Sequence, residues 1–185
     1  MQFGADDETS QQVQAILEME QAGATVKVFQ TDVACEAQMS SLFAKLEAQG
    51  VTMNGVVHAA GVAGGGMLAL KNKEDLDTVI RAKVQGSQLL VKMLNQQPSV
   101  PAFLLFCSSL SAIKTTAGQY DYCAANAYQD ALAFACVEQS SMRVMSIDWY
   151  AWAEQGMAWR AFSQEHGEEI AAQQLRSSLS NAEGI

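Results

Sequence analysis

No apolar run in this sequence approaches the ~20 residues that span a bilayer. The opening MQFGADDETS has neither a basic n-region nor an apolar h-region, so nothing marks the chain for export. Cations are scarce: 11 Lys and Arg stand against 20 Asp and Glu, a formal net charge of -9. That balance argues against nucleic acid, whose phosphates are neutralised by clustered Lys and Arg. The four cysteines, Cys35, Cys107, Cys123 and Cys136, lack metal-ligand spacing. They read as buried free thiols of a cytoplasmic protein, and no metal site is expected. No internal repeat or linker interrupts the chain, so residues 1–185 are expected to form one domain. What is present is apolar material: 49% of residues are hydrophobic and 17% charged, enough for a real core.

Periodicity sets out the elements. Asp6, Asp7 and Thr9 offer caps for a first helix with Val13, Ile16 and Leu17 at helical spacing, ended by Gly23. Residues 25–30, TVKVFQ, alternate as a strand does. After Thr31-Asp32-Val33 a second helix places Met39, Leu42, Phe43 and Leu46 inward, with Gly50 following. Residues 54–59, NGVVHA, read as a strand, and the glycine-rich turn 61–66 opens a long helix over about 73–95. Pro98 ends that helix, whose buried face is Leu76, Val79, Ile80, Leu89, Leu90 and Met93. A strand over 103–107, a helix over about 119–138, a strand over 143–148 and a last helix over about 165–180 complete the chain. Such alternation predicts an α/β fold, a parallel sheet with helices on both faces.

The chemistry gathers in residues 104–128, LLFCSSLSAIKTTAGQYDYCAANAY. A buried strand ends in Ser108-Ser109, a loop runs to Gly118, and a helix follows with Tyr122 and Asn126 four apart on one face. In parallel α/β sheets, ligands sit outside the carboxyl ends of strands. Taken singly, Tyr122 reads as an ordinary helix tyrosine, Ser109 as a turn cap and Lys83 as a solvated lysine. With RAKVQG upstream and WYAWAEQGMA downstream, however, the stretch resembles the ketoreductase domain of modular type I polyketide synthases. That family is a branch of the short-chain dehydrogenase superfamily, and the ketoreductase of animal-type fatty acid synthase is a near second. Ser109 stands thirteen residues before Tyr122 and Asn126 four after it, while Lys83 opens Lys83-Val84-Gln85-Gly86, the KVxG of the family. Ordinary single-domain short-chain dehydrogenases instead place the Lys four after the Tyr. The resemblance covers most of the chain, from about the third strand of the family fold onward.

The resemblance implies NADPH-dependent reduction of a β-ketoacyl group on an acyl carrier protein, alongside other polyketide synthase domains. Tyr122 would be the general acid, and Lys83 the cation that favours phenolate and binds the nicotinamide ribose. Ser109 would hold the ketone oxygen, and Asn126 would orient Lys83 or a relay water. Asp32 and Val33 would contact adenine, although Asp32 is equally placed to cap the helix from about Cys35. His58, Ala59, Ala60 and Gly61 would form the cofactor-facing turn, with no proton transfer assigned to His58. Trp149 would flank the nicotinamide, with aromatic packing as its plainer role. Lys71, Lys73 and Arg81 are the nearest cluster of cations for an acidic carrier protein.

The sequence also departs from the family. Two further strands with a G-x-G-x-x-G loop open the family fold; here that pattern is absent, and Gly61, Gly64, Gly65 and Gly66 follow a later strand. In the 3-2-1-4-5-6 strand order this leaves TVKVFQ without a neighbour and VVHAA with an open edge. The expected fold is therefore Rossmann-like but lacks the first two strands and the glycine-rich loop. Such an N-terminally truncated fragment is expected to bind NADPH weakly or not at all, and to rearrange or self-associate through the open edge. Two competing functions stand beside the reductase: a non-catalytic structural remnant, and a free-standing dehydrogenase acting on a small ketone. Product stereochemistry is left open: Ala63-Gly64-Gly65 replaces the family's Leu-Asp-Asp, and Lys114 its Trp.

Overall fold

The computed structural model describes residues 8–114, 117–138, 140–153 and 155–184, so the expected caps Asp6 and Asp7 lie outside it. The chain divides into two compact units, Met1–Thr31 and Asp32–Ile185. In the first, helix α1 (Glu8–Gln21) closes where the sequence predicts, with Ala24 N–H bonded to Met19 O and Gly23 N–H to Glu20 O. Of its expected inward residues, Ile16 is half-buried, while Val13 and Leu17 are 50% and 44% exposed.

The predicted strand over 25–30 does not form: these residues belong to no strand, and Val28 is 75% exposed. Alternation supplies the pattern of a strand. A strand needs a place in a ladder as well, and the sheet of the described residues does not include 25–30.

The second unit is built on a parallel sheet of β1 (Gly55–His58), β2 (Phe103–Ser109) and β3 (Arg143–Trp149), in the order β1-β2-β3. Val56 pairs with Leu104, and Leu104 in turn with Val144. Among the described residues β1 pairs with β2 alone, so its outer edge is open, as the sequence predicts. Helices flank this sheet. In α2 (Glu36–Ala48), Met39 and Phe43 are buried. The long helix is continuous through α3 (Lys73–Ile80), a π-helical turn (Arg81–Gln85) and α4 (Gly86–Asn95). Asn72 starts it, its side chain accepting from Asp75 N–H at 2.8 Å. Helix α5 (Tyr120–Ala135) follows β2.

The core lies where one face of the sheet meets α2, α4 and α5. Leu104 and Phe106 of β2 and Leu94 of α4 are fully buried there, with Met39, Phe43, Leu89, Leu90, Ala133 and Val144 around them. The alternate residues of β2 are half-buried, and on the same face Val57 and Ile147 are 57% and 39% exposed.

Of the last helix predicted over about 165–180 only α7 (Glu168–Gln174) forms, and an unpredicted α6 (Gly156–His166) precedes it. Gly167 separates the two at φ +85°, a value that L side chains rarely adopt. A short α8 (Asn181–Gly184) ends the described chain. No helix among the described residues is long and apolar enough to cross a membrane.

Phe106→Ala is expected to lower unfolding stability in urea by about 3–5 kcal/mol, the cost of a cavity in a close-packed core. Phe134→Ala, at an 83% exposed position on α5, should stay within about 0.5 kcal/mol of the parent.

Candidate active site

The carboxyl ends of β1 and β2, the π-helical turn and the first turns of α5 meet at one place. The turn is defined by Gly86 N–H bonding to Arg81 O, five residues back. Such turns insert an extra residue and rotate the helix beyond them. Here the turn carries Lys83 inward to 2% exposure. Its Nζ donates to Cys107 O of β2 at 2.7 Å and to Gln129 Oε1 of α5 at 3.1 Å. Burial lowers its pKa from 10.5 to about 8, and the charges of Cys107 and Asp130 oppose that shift.

His58 supports the turn. Its Nε2 lies 3.2 Å from Ala82 O, so the ring nitrogen is assigned as the donor to a carbonyl of the π-helical segment. The ring meets Phe106 edge-on, with centroids 6.0 Å apart. Burial, then the charge of Lys83, depress its pKa from 6.5 to about 4, so it is neutral near pH 7. At 3% exposure the imidazole faces inward, and the surface of the turn belongs to Ala59 and Ala60. Gly61 runs beside Lys83, where an added Cβ would lie 2.9 Å from Cε.

Tyr122 lies in the first turn of α5, its ring centroid 5.9 Å from Lys83 Nζ. Burial raises its pKa, and hydrogen bonding by Asn126 and Ser109 pulls the other way. The sequence reading expected Lys83 to favour phenolate. In the structure burial prevails over the hydrogen bonding of Asn126 and Ser109. The phenol therefore stays protonated at neutral pH. Ser109 ends β2 and also caps the 3-10 turn Leu110–Ala112, its Oγ accepting from Ser111 N–H at 3.2 Å.

Asn126 is fully buried. Its Nδ2 donates to Tyr122 O, 2.7 Å away on its own helix, and its Oδ1 has no partner among the described residues. The bond to Lys83 expected of it is made instead by Gln129, whose Nε2 donates to Ser87 Oγ at 2.9 Å. Sequence reasoning missed Gln129. The available signal was its spacing, seven residues after Tyr122 and so on the same face two turns on, a polar residue in an apolar stripe.

The glycine-rich turn closes on α5. A Cβ at Gly64 would meet Asp121 Oδ1 at 2.6 Å and Tyr122 Cβ at 3.0 Å. Lys71 forms a buried ion pair with Asp121, and Arg81 pairs with Asp32 at 2.7 Å. Two of the three cations expected to face a carrier protein are thus committed to carboxylates. Asp32 Oδ1 accepts from Ala34 N–H at 2.9 Å, a turn just ahead of α2, whose N-cap position is Cys35. Val33 packs on Gly86, where a Cβ would come within 2.8 Å of its Cγ1. Trp149 stacks obliquely on Trp152, centroids 5.6 Å apart, and Trp152 pairs with Leu179 in an isolated bridge. Glu154 of the WYAWAEQGMA segment lies outside the described residues.

Against known proteins, residues 3–154 match the model of the KR domain family. The chain belongs to this ketoreductase family of modular polyketide synthases. It is 33% identical over 167 residues to a phenolphthiocerol/phthiocerol polyketide synthase of Mycobacterium tuberculosis, covering 90% of this chain and 9% of that protein. To polyketide synthase GfsA of Streptomyces halstedii it is 37% identical over 141 residues, 76% of this chain and 2% of that protein. Among solved structures it resembles PlmKR1, the ketoreductase from the first module of phoslactomycin biosynthesis in Streptomyces sp. HK803, with 34% identity and a TM-score of 0.78. That match covers 98% of this chain and 39% of the other. A structure of A-type ketoreductases from a modular polyketide synthase is similar at 28% identity and TM-score 0.75, covering 96% and 35%.

Ketoreductases of this superfamily use a nicotinamide cofactor. The residues here fit its ribose–nicotinamide end. Lys83 has three N–H bonds and two acceptors, Asn126 Oδ1 is an acceptor without a donor among the described residues, and Gly61 of the small-residue turn 59–61 runs beside Lys83. For the pyrophosphate, the sequence has no glycine loop of the G-x-G-x-x-G kind.

His58 gives a test of this electrostatic layout. The unfolded chain takes up the proton at 6.5 and the folded chain near 4, so His58 contributes stability above pH 6.5 that is lost as pH falls towards 4. The loss is on the order of 3 kcal/mol. His58→Gln keeps a donor for Ala82 O without that titration. Urea unfolding between pH 7 and 4 should show the parent losing stability relative to the variant.

Proposed function

We propose that this ketoreductase-family chain serves the NADPH-dependent reduction of a β-ketoacyl group, tethered to an acyl carrier protein, to the β-hydroxyacyl product. It would act beside the other domains of a cytoplasmic polyketide synthase. Residues 1–185 are assigned to a single partial domain, supported by the family match over 3–154, which spans both compact units. The observation that carries the reading is the meeting of Lys83, Tyr122, Ser109 and Asn126 at the carboxyl ends of β1 and β2.

NADPH, when bound, supplies the hydride to the ketone carbon. The chain's own residues manage the oxygen. As negative charge gathers there, the Tyr122 hydroxyl, kept protonated by burial, gives up its proton. The Ser109 hydroxyl, at the mouth of β2, hydrogen-bonds the same oxygen and fixes its direction. Lys83, with one N–H left over, would hold the ribose hydroxyls, and Asn126 Oδ1 would accept from a ribose hydroxyl or a relay water. Ala59, Ala60 and Gly61 let the backbone come close to the ligand. Asp32, which pairs with Arg81, together with Val33 and Trp149 would serve the adenine and nicotinamide ends.

In the chain joined to the two opening strands and glycine loop of the family fold, Tyr122→Phe is expected to lower NADPH-dependent reduction of a β-ketoacyl thioester by about 10²- to 10⁴-fold, on the order of a lost general acid, with the fold retained by circular dichroism. Unchanged turnover would remove Tyr122 from its role. Calorimetric titration with NADPH separates the non-catalytic remnant, which the absent glycine loop motivates, from the reductase: no heat at millimolar cofactor favours the remnant. Equal rates on carrier-bound and free small ketones would instead favour a free-standing dehydrogenase.

A further inference from the structure

We propose that Gln129 is the positioning residue for the Lys83 ammonium, bridging it to Ser87 and fixing it relative to the helix that bears Tyr122. The inference deepens the reductase reading and rests on it for what Lys83 does.

Gln129 is fully buried, and a buried amide is costly unless both ends are bonded. Both are: Oε1 faces Lys83 Nζ at 3.1 Å and Nε2 faces Ser87 Oγ at 2.9 Å. The orientation is set by chemistry, because an ammonium only donates and must meet the oxygen end. Lys83 lies in the π-helical turn and Ser87 four residues on, so one amide grips that turn and the start of α4 together. Cys107 O, from β2, supplies the second anchor at 2.7 Å. Two fixed acceptors on a tetrahedral nitrogen leave a single direction for the third N–H. Gln129 and Tyr122 sit on one rigid helix two turns apart, so movement of α5 carries ammonium and phenol together.

A neutral acceptor also differs from a carboxylate in what it does to the charge. The titratable groups facing Lys83 are Cys107 and Asp130, which raise its pKa, His58, whose own pKa Lys83 lowers, and Tyr122. Replacing Gln129 by an apolar side chain of similar length removes one acceptor. Replacing it by Glu adds a charge at the same place.

The experiment follows the Cε and Nζ signals of Lys83 in protein labelled with 13C and 15N lysine, across pH 6 to 11. Gln129→Met should move the midpoint down and Gln129→Glu should move it up, each by about one pH unit, as loss or gain of a contact partner does. The basic limb of the kcat/KM profile for β-ketoacyl reduction should move in the same order. A merely space-filling Gln129 would leave both unmoved in Gln129→Met, with Gln129→Glu showing only that a charge placed there is felt, and an unchanged midpoint in a folded Gln129→Met overturns the proposal. Midpoints that shift without detectable reduction in any form support the positioning role and sink the reductase reading. Reduction with an unmoved profile and unmoved midpoints does the reverse.

Discussion

One buried ammonium group sets the terms for the rest of the site. Lys83 is among the largest fully buried side chains in the protein, and its direct partners are neutral carbonyl oxygens rather than a carboxylate. Isolated charge in a low-dielectric interior is costly, and the penalty appears as a pKa brought down to about 8. Three segments far apart in sequence must stay registered to keep that nitrogen bonded: the end of β2, the π-helical turn and α5. His58 under the turn and Gly86 against Val33 let the helix approach closely enough. The same closeness brings Tyr122 beside Lys83.

Burial works in two directions on three neighbouring groups. It pushes His58 down to about 4 and Lys83 down to about 8, while it pushes the Tyr122 phenol up. Near neutral pH the pocket therefore holds a neutral imidazole, a mostly protonated ammonium and an intact phenol. A protonated phenol is the state a general acid needs before hydride transfer. Desolvation keeps it in that state here.

Much of this was legible in the sequence. The periods of Met39 and Phe43, of Leu89, Leu90 and Met93, and of Tyr122 and Asn126 named the helices and their inner faces, and apolar runs named β1, β2 and β3. Other features were not. Residues 25–30 carry strand alternation, but pairing is a property of two segments, and the described sheet does not include them. The π-helical turn leaves no mark in composition, since RAKVQ reads as ordinary helix; only the closed geometry shows Gly86 bonding five residues back. Charge alone placed Lys71 on a basic face, whereas the long side chain turns inward to Asp121. Gln129 was concealed by its type, because a glutamine is most often solvated and its burial depends on Ser87 and Lys83 from another segment.

The most direct test of a ketoreductase site run by this ammonium is isotope transfer. NADPH doubly deuterated at C4 is incubated with a β-ketoacyl thioester and this chain joined to the two opening strands and glycine loop of the family fold, and the product is weighed by mass spectrometry. One deuterium at the β-carbon with the parent, reduced at least ~100-fold in Lys83→Met, is the expected result. Equal incorporation by parent and variant would contradict the central role given to Lys83, and no incorporation by the parent would contradict the reductase itself.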